Sequence, residues 1–167
     1  SQFLNKNGVE ILSTGGTYEF LKSQSINAIK VEEITGYHSI LGGRVKTLHP
    51  KVFGGILARR DNIADTCDSE KYEIPQIDLV IVDLYPFEEY VKAGASHEDI
   101  SEKIDIGGIS LIRAAAKNYK DVVIISCKEL YRPFMEILKK NGTNTPEEER
   151  AFFAASPARP KSVRGLL

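Results

Sequence analysis

The sequence predicts an α/β fold built on a mostly parallel sheet. Short apolar runs of strand length alternate with stretches of helical periodicity. Two of these runs, Leu79-Val80-Ile81-Val82 and Val122-Val123-Ile124-Ile125, are apolar throughout, the pattern of a strand covered on both faces. Glycines punctuate the chain where helix stops and strand-to-helix turns fall, at Gly8, Gly15-Gly16, Gly107-Gly108 and Gly142.

In chain order, Gln2 to Asn7 reads as the last turns of a helix with Gly8 just past its end. Val9 to Leu12 reads as a strand, followed by a turn at Ser13 to Thr17 and a helix from Tyr18 to Ser23. Ala28 to Val31 is a weaker strand. Residues 35 to 60, rich in glycine and basic residues, read as a long functional loop with short helical pieces. Asp61 to Gln76 reads as a surface helix plus loop, and Leu79 to Val82 as a strand. Helices are expected over Ser96 to Lys103 and Ile109 to Lys117, and a strand over Val122 to Ile125. Leu130, Phe134, Ile137 and Leu138 mark an amphipathic helix that stops at Gly142. Residues 1–150 form one expected domain. Ala151 to Leu167, rich in Ala, Pro, Arg and Ser, is expected to be an irregular tail.

Composition narrows the function classes. A chain of 167 residues suits a single domain able to bury a core without staples. A net charge of −1 gives no broad field for nucleic acid, although a phosphorylated substrate needs only a few cations. The two cysteines, Cys67 and Cys127, have no metal-ligand spacing and fit a reducing cytosol as free thiols. No apolar run is long enough to span a bilayer, and no signal-peptide pattern is visible, so a cytoplasmic location is expected.

Ligands in parallel α/β sheets sit beyond the carboxyl ends of the strands. That rule groups the loops after Leu12, after Val82 and around Asp105 to Gly108. Ser13-Thr14-Gly15-Gly16-Thr17 combines glycines, three hydroxyls and a helix start, which suits a monophosphate. It matches neither the Walker nor the dinucleotide pattern. The plainer reading is a turn with Thr17 as helix cap. In Gly43-Arg44-Val45-Lys46-Thr47-Leu48-His49-Pro50, Arg44 and Lys46 project from one side if the segment is extended. The plainer reading is a solvated basic loop, with His49 structural.

Asp83-Leu84-Tyr85-Pro86-Phe87 closes the most apolar strand, so Asp83 and Tyr85 either face a ligand or, for Tyr85, pack in the core. Asp105 stands between two isoleucines, an apolar setting that would suit an acid to proton transfer. Its plainer role is a helix cap. Arg113 and Lys117, four apart, share a face of the following helix.

Together STGGT, GGRVKTLHPKV, GGILARR, DLVIVDLYPF and IDIGGISLIRAAAKN, in that order, resemble the IMP cyclohydrolase domain of the bifunctional AICAR transformylase/IMP cyclohydrolase family over about residues 2 to 150. The resemblance implies a three-layer α/β/α fold like methylglyoxal synthase, with five parallel strands. It implies ring closure of 5-formamidoimidazole-4-carboxamide ribonucleotide (FAICAR) to IMP with loss of water, the last step of purine synthesis, and no metal or organic cofactor. It implies catalytic roles for Lys46, Tyr85, Asp105 and Lys117. Substrate binding is implied for Ser13, Thr14, Gly16, Thr17, Arg44 and Thr47, and Asp83, Gly107, Gly108 and Arg113 are placed beside them. A covalently linked transformylase domain and a homodimer are the implied partners, with no nucleic acid and no membrane.

The chain departs from that pattern at Phe53, Asp83 and Ile109, where many members have histidine, asparagine and proline. Family members open with a further apolar strand and a serine- and lysine-bearing loop. The expectation is therefore a truncated domain, poorly stable and nearly inactive alone. The competing readings are a methylglyoxal-synthase-like lyase and a non-catalytic nucleotide-binding regulatory module of the same fold.

Overall fold

The computed structural model describes residues 1–84, 87–142 and 144–156. Four short strands and ten α-helices are defined among them. Helix α1 (Gln2–Lys6) ends before Gly8, whose φ of +75° provides the left-handed stop expected of it. Strand β1 (Leu12–Ser13) leads into α2 (Gly15–Ser23), and β2 (Ile29–Lys30) runs straight into α3 (Val31–Thr35).

The expected long loop contains a 3-10 turn (Leu41–Gly43) and a full helix, α4 (Pro50–Leu57). Pro50 begins α4, where a missing N–H costs nothing, and His49 caps it through Nδ1, which accepts from the Lys51 amide at 3.2 Å. The structural reading of His49 is thereby accounted for. Helix α5 (Ile63–Lys71) is capped by Asn62. Strand β3 (Leu79–Ile81), α6 (Phe87–Lys92), α7 (His97–Glu102), α8 (Ile106–Lys117) and β4 (Val123–Ile125) follow. A 3-10 turn (Lys128–Leu130), α9 (Tyr131–Asn141) and α10 (Glu147–Ala155) complete the described chain.

Strand β1 pairs with β2, and β3 with β4, both in parallel. The described residues thus give four strands in two parallel pairs, where the resemblance implied five. Alternation along β4 assembles the layers. Val122 and Ile124 join Val80 of β3 in a cluster with Val31 of α3, Val52 and Ile56 of α4, and Ile112, Ala114 and Ala115 of α8. Val123 and Ile125 turn the other way, onto Leu4 of α1, Phe134 and Leu138 of α9 and Phe153 of α10. A period of two in the strand therefore places helices on both faces, the α/β/α arrangement. Strand β4 is buried along its whole length. Strand β3 is not: Ile81 is 44% exposed, so its apolar run did not mean full cover.

Small residues permit the close packing of α4. A side chain on Gly55 would begin 2.2 Å from the Pro75 carbonyl oxygen, so only glycine lets α4 approach residues 74–77. The expected irregular segment from Ala151 fails in its first residues. Helix α10 runs through Ala155, and Phe153 is buried edge-on against Phe134 at a ring separation of 5.7 Å. Residues 157–167 lie outside the described part.

Candidate active site

The carboxyl end of β1 opens the site. Ser13 is buried, and Thr14 is the extended N-cap of α2. The cap is Thr14 and not Thr17, which lies in the first turn. No side-chain cap bond is made by Thr14, so the first amides of α2 keep their donors unspent. Gly15 turns the chain from strand into helix with φ +48°, a conformation that favours glycine. Free amides on a glycine turn at the start of a nine-residue helix attract an anion.

The basic loop meets this turn. An antiparallel bridge between Ile40 and Val45 closes it, and Leu41, Gly42 and Gly43 are all left-handed inside the bridge. For Leu41 such a conformation costs on the order of 1–3 kcal/mol and persists only where its surroundings impose it. The segment is folded back rather than extended, with Arg44 in a helical conformation, so Arg44 and Lys46 diverge. Arg44 forms an exposed ion pair with Glu102 at the end of α7. Lys46 is half-buried. Its Nζ lies 3.5 Å from the point where a side chain would begin on Gly15, and the same distance from that point on Gly43. The ammonium therefore sits between the α2 turn and its own loop.

Thr47 carries the contact onward. Its hydroxyl lies 2.9 Å from where a side chain on Gly107 would begin, at the start of α8. Asp105 caps that helix: Oδ1 accepts from the Gly108 amide at 2.6 Å. This is the plainer role weighed for it, and the glycines lie inside the helix rather than before it. The flanking Ile104 and Ile106 are 59% and 61% exposed, so they turn to solvent and do not enclose the carboxylate. The expected apolar setting of Asp105 is absent for that reason. The second oxygen, Oδ2, makes no hydrogen bond among the described residues.

Two of the loops grouped by the strand-end rule, Ser13 to Thr17 and Asp105 to Gly108, are thus bridged by Arg44 to Thr47. Lys117 and Arg113 do not join them. Helix α8 begins at Ile106, so about 18 Å of helix axis separates Asp105 from Lys117. Both cations are exposed on α8. A different cleft, of about 740 Å³, lies past the end of α8, bordered by Arg59, Arg60, Asn118, Lys120, Asp121 and Glu147. The two arginines there are already paired, Arg59 with Asp65 and Arg60 with Asp78.

Asp83, two residues past the end of β3, pairs with Lys128 after β4 at 3.2 Å. Tyr85 lies outside the described residues. Burial raises the Tyr131 hydroxyl above its ordinary range, with a smaller push from Asp83, and burial likewise raises the Cys127 thiol. Sequence reasoning passed over Ser126. It follows β4 at the carboxyl edge, is only 4% exposed, and its hydroxyl has no partner among the described residues. Its signal was available: a hydroxyl directly after a fully apolar strand, where α/β sheets bind ligands.

Comparison with known proteins extends this picture. The family model of the MGS-like domain matches residues 1–110. The bifunctional purine biosynthesis protein PurH of Bacteroides thetaiotaomicron is 60% identical over 151 residues, covering 90% of this chain and 30% of that protein. The protein of the same name from a Thermoanaerobacter species is 50% identical over 153 residues, covering 91% and 30%. The chain therefore spans about 30% of the length of these relatives. Among solved structures, the crystal structure of ForH superposes with a TM-score of 0.76 at 33% identity, covering 92% of this chain and 80% of that one.

Proposed function

Because the chain belongs to the MGS-like domain family, we propose that it carries the IMP cyclohydrolase activity of a bifunctional purine-biosynthesis enzyme, closing FAICAR to IMP. The observation that carries the reading is the pair Lys46 and Thr47. Neighbours in sequence, they reach the start of α2 on one side and the start of α8 on the other. Three of the five motifs that resemble the cyclohydrolase domain, STGGT, GGRVKTLHPKV and IDIGGISLIRAAAKN, contribute residues that meet there. The high identity to proteins named for purine biosynthesis supports the same substrate class.

The reaction asks for little beyond placement and proton transfer. The carboxamide nitrogen attacks the formyl carbon of the same molecule, forming a carbon–nitrogen bond. The former formyl oxygen then leaves as water with one proton from the carboxamide nitrogen and one from the formamido nitrogen. Holding the two groups in contact replaces much of the entropic barrier. In this reading the α2 turn, with Ser13, Thr14, Gly16 and Thr17, takes the phosphate together with Thr47, and Lys46 lines the same site and serves in proton transfer. Oδ2 of Asp105 accepts a proton. Amides in the first turn of α8 offer donors to the formyl oxygen as charge develops on it. Arg44 reaches the phosphate by releasing Glu102, Asp83 lies beside the base, and Tyr85 keeps the catalytic role that the family resemblance implies. Lys117 and Arg113, displaced along α8, take no part in one chain's cleft.

The reading also places a transformylase domain in the same polypeptide, a homodimeric assembly and a cytoplasmic location. No described helix is long and apolar enough to cross a membrane.

The test is ultraviolet absorbance during incubation of the chain with FAICAR, repeated with Lys46→Met. IMP formation that falls on the order of 10²-fold in the variant supports the reading. Tight binding without turnover would make the chain a regulatory module. Methylglyoxal release from dihydroxyacetone phosphate would make it a lyase.

A further inference from the structure

Two helices bring the site together, α4 behind Thr47 and α8 behind Gly107. They pack side by side, with Val52 and Ile56 of α4 against Ile112 and Ala115 of α8. Both start at the site. Thr47 lies just before α4 and touches the first turn of α8. Both also end together. Asn118, immediately after α8, donates from Nδ2 to the Ile56 carbonyl at 2.9 Å and to the Ala58 carbonyl at 3.1 Å. Those carbonyls belong to the last turn of α4 and the residue just beyond it. Asn118 is 8% exposed, and its bond to the Ile56 carbonyl is buried.

We propose that Asn118 is a positioning residue: by tying the far ends of α4 and α8, it sets the register that holds the Thr47 hydroxyl against Gly107. For what the site does, this rests on the cyclohydrolase reading; the helix register it describes does not depend on that reading. The physical ground is geometric. Apolar packing between helices resists separation but tolerates sliding, because ridges in grooves have more than one seating. One contact at the site end leaves a pivot. A second, directional contact at the other end removes both the slide and the pivot. Only an amide at position 118 offers two N–H groups to two carbonyls while burying no charge. A helix-length lever carries a small slip at Asn118 to the reacting groups, and a misplacement of about 1 Å costs on the order of 10²-fold in rate.

A second anchor lies close by and supplies the control. Arg150 of α10 donates to the Tyr119 and Thr145 carbonyls, stabilising the same end of α8 without touching α4. The experiment compares Asn118→Ala, Asn118→Gln and Arg150→Leu in the chain. Turnover of FAICAR, thermal midpoint and the backbone amide resonances of Gly107 and Gly108 are measured for each. Asn118→Ala is expected to lower kcat by roughly 10–100-fold with KM changed less, and to displace both amide resonances. Asn118→Gln, which keeps the amide, should restore part of each. Arg150→Leu should lower the midpoint and leave kcat and the two resonances in place. Unmoved Gly107 and Gly108 resonances in any folded variant lacking the Asn118 amide would overturn the proposal. So would an equal loss of kcat in Arg150→Leu. If Asn118→Ala does not fold, Asn118→Ser, which also lacks the amide, decides on the same resonances. Absence of cyclisation by the unchanged chain would defeat the functional reading alone, since the resonances still report the register.

Discussion

The Thr47 hydroxyl stands 2.9 Å from the point at which a side chain on Gly107 would begin. Residues sixty positions apart thus define one wall of the cleft, and Gly107 has no spare room. Its backbone is ordinary helix, so alanine is tolerated there and is the better helix former by about 1 kcal/mol. Gly107→Ala should therefore leave the fold as stable or slightly more so while pushing the Thr47 hydroxyl aside. If that hydroxyl bonds the substrate phosphate, KM should rise about tenfold or more, the worth of one hydrogen bond to a charged group. Steady-state kinetics and thermal unfolding of the variant check both halves. Unchanged kinetics in the alanine variant would show that Thr47 has no substrate role.

Much of the architecture was legible because it depends on local signals. Four consecutive apolar residues at Val122 to Ile125 announced a buried strand, and Gly8 announced a helix stop. The start of α8 was misjudged because Gly107 and Gly108 are poor helix formers, yet the Asp105 cap at the Gly108 amide outweighs that preference. Helix α10 was missed although its start was readable. Pro146 followed by Glu147, Glu148 and Glu149 is a helix-opening pattern, with three acids on the positive end of the dipole. The composition of the residues beyond it obscured the signal. In the site, the motifs were legible and their contacts were not. That Arg44 faces Glu102 and Lys46 faces Gly15 follows from a left-handed turn at residues 41 to 43, and nothing in residue spacing specifies such a turn around Leu41.

Lys117 tests the same point by function. The family resemblance assigns it to catalysis, whereas α8 carries it about 18 Å along the axis from Asp105. Lys117→Ala should accordingly reduce kcat by far less than Lys46→Met. Parallel assays with FAICAR decide the matter. A loss as deep as that of Lys46→Met would mean that Lys117 serves a site completed by a second copy of the chain.

Glu102 competes for a cation that the substrate needs. Its carboxylate holds Arg44, and both side chains are largely exposed, at 49% and 68%. An exposed pair of this kind is worth about 0.2–1 kcal/mol. Removing the competitor should therefore tighten substrate binding modestly. Glu102→Gln is expected to lower KM by up to about fivefold at low salt, the fold-change that energy allows. The advantage should fade as salt screens both interactions. A KM that rises in the variant would show that Glu102 orders the Arg44 loop rather than blocking it.

Acid stability should report on a second tether, between the segment after α4 and helix α5. Asp65 accepts from the Arg59 amide at 2.9 Å and from its Nε at 2.9 Å, and Oδ1 accepts from the other end of the guanidinium at 2.9 Å. The guanidinium bond, followed by the backbone amide, lowers the carboxyl pKa to about 2. An unfolded aspartate titrates near ~3.9. A folded pKa below the unfolded one means that the folded chain holds fewer protons, so this contribution is fully present above about pH 4. It is lost progressively as pH falls through that value toward about 2, where both forms are protonated. Asp65→Asn removes the charge and keeps the backbone bond to the Asn62 cap. Thermal midpoints of the two proteins should differ most above about pH 4 and converge as pH approaches 2. A difference that stays constant down to that pH would mean that Asp65 stabilises by shape and hydrogen bonding, without its charge.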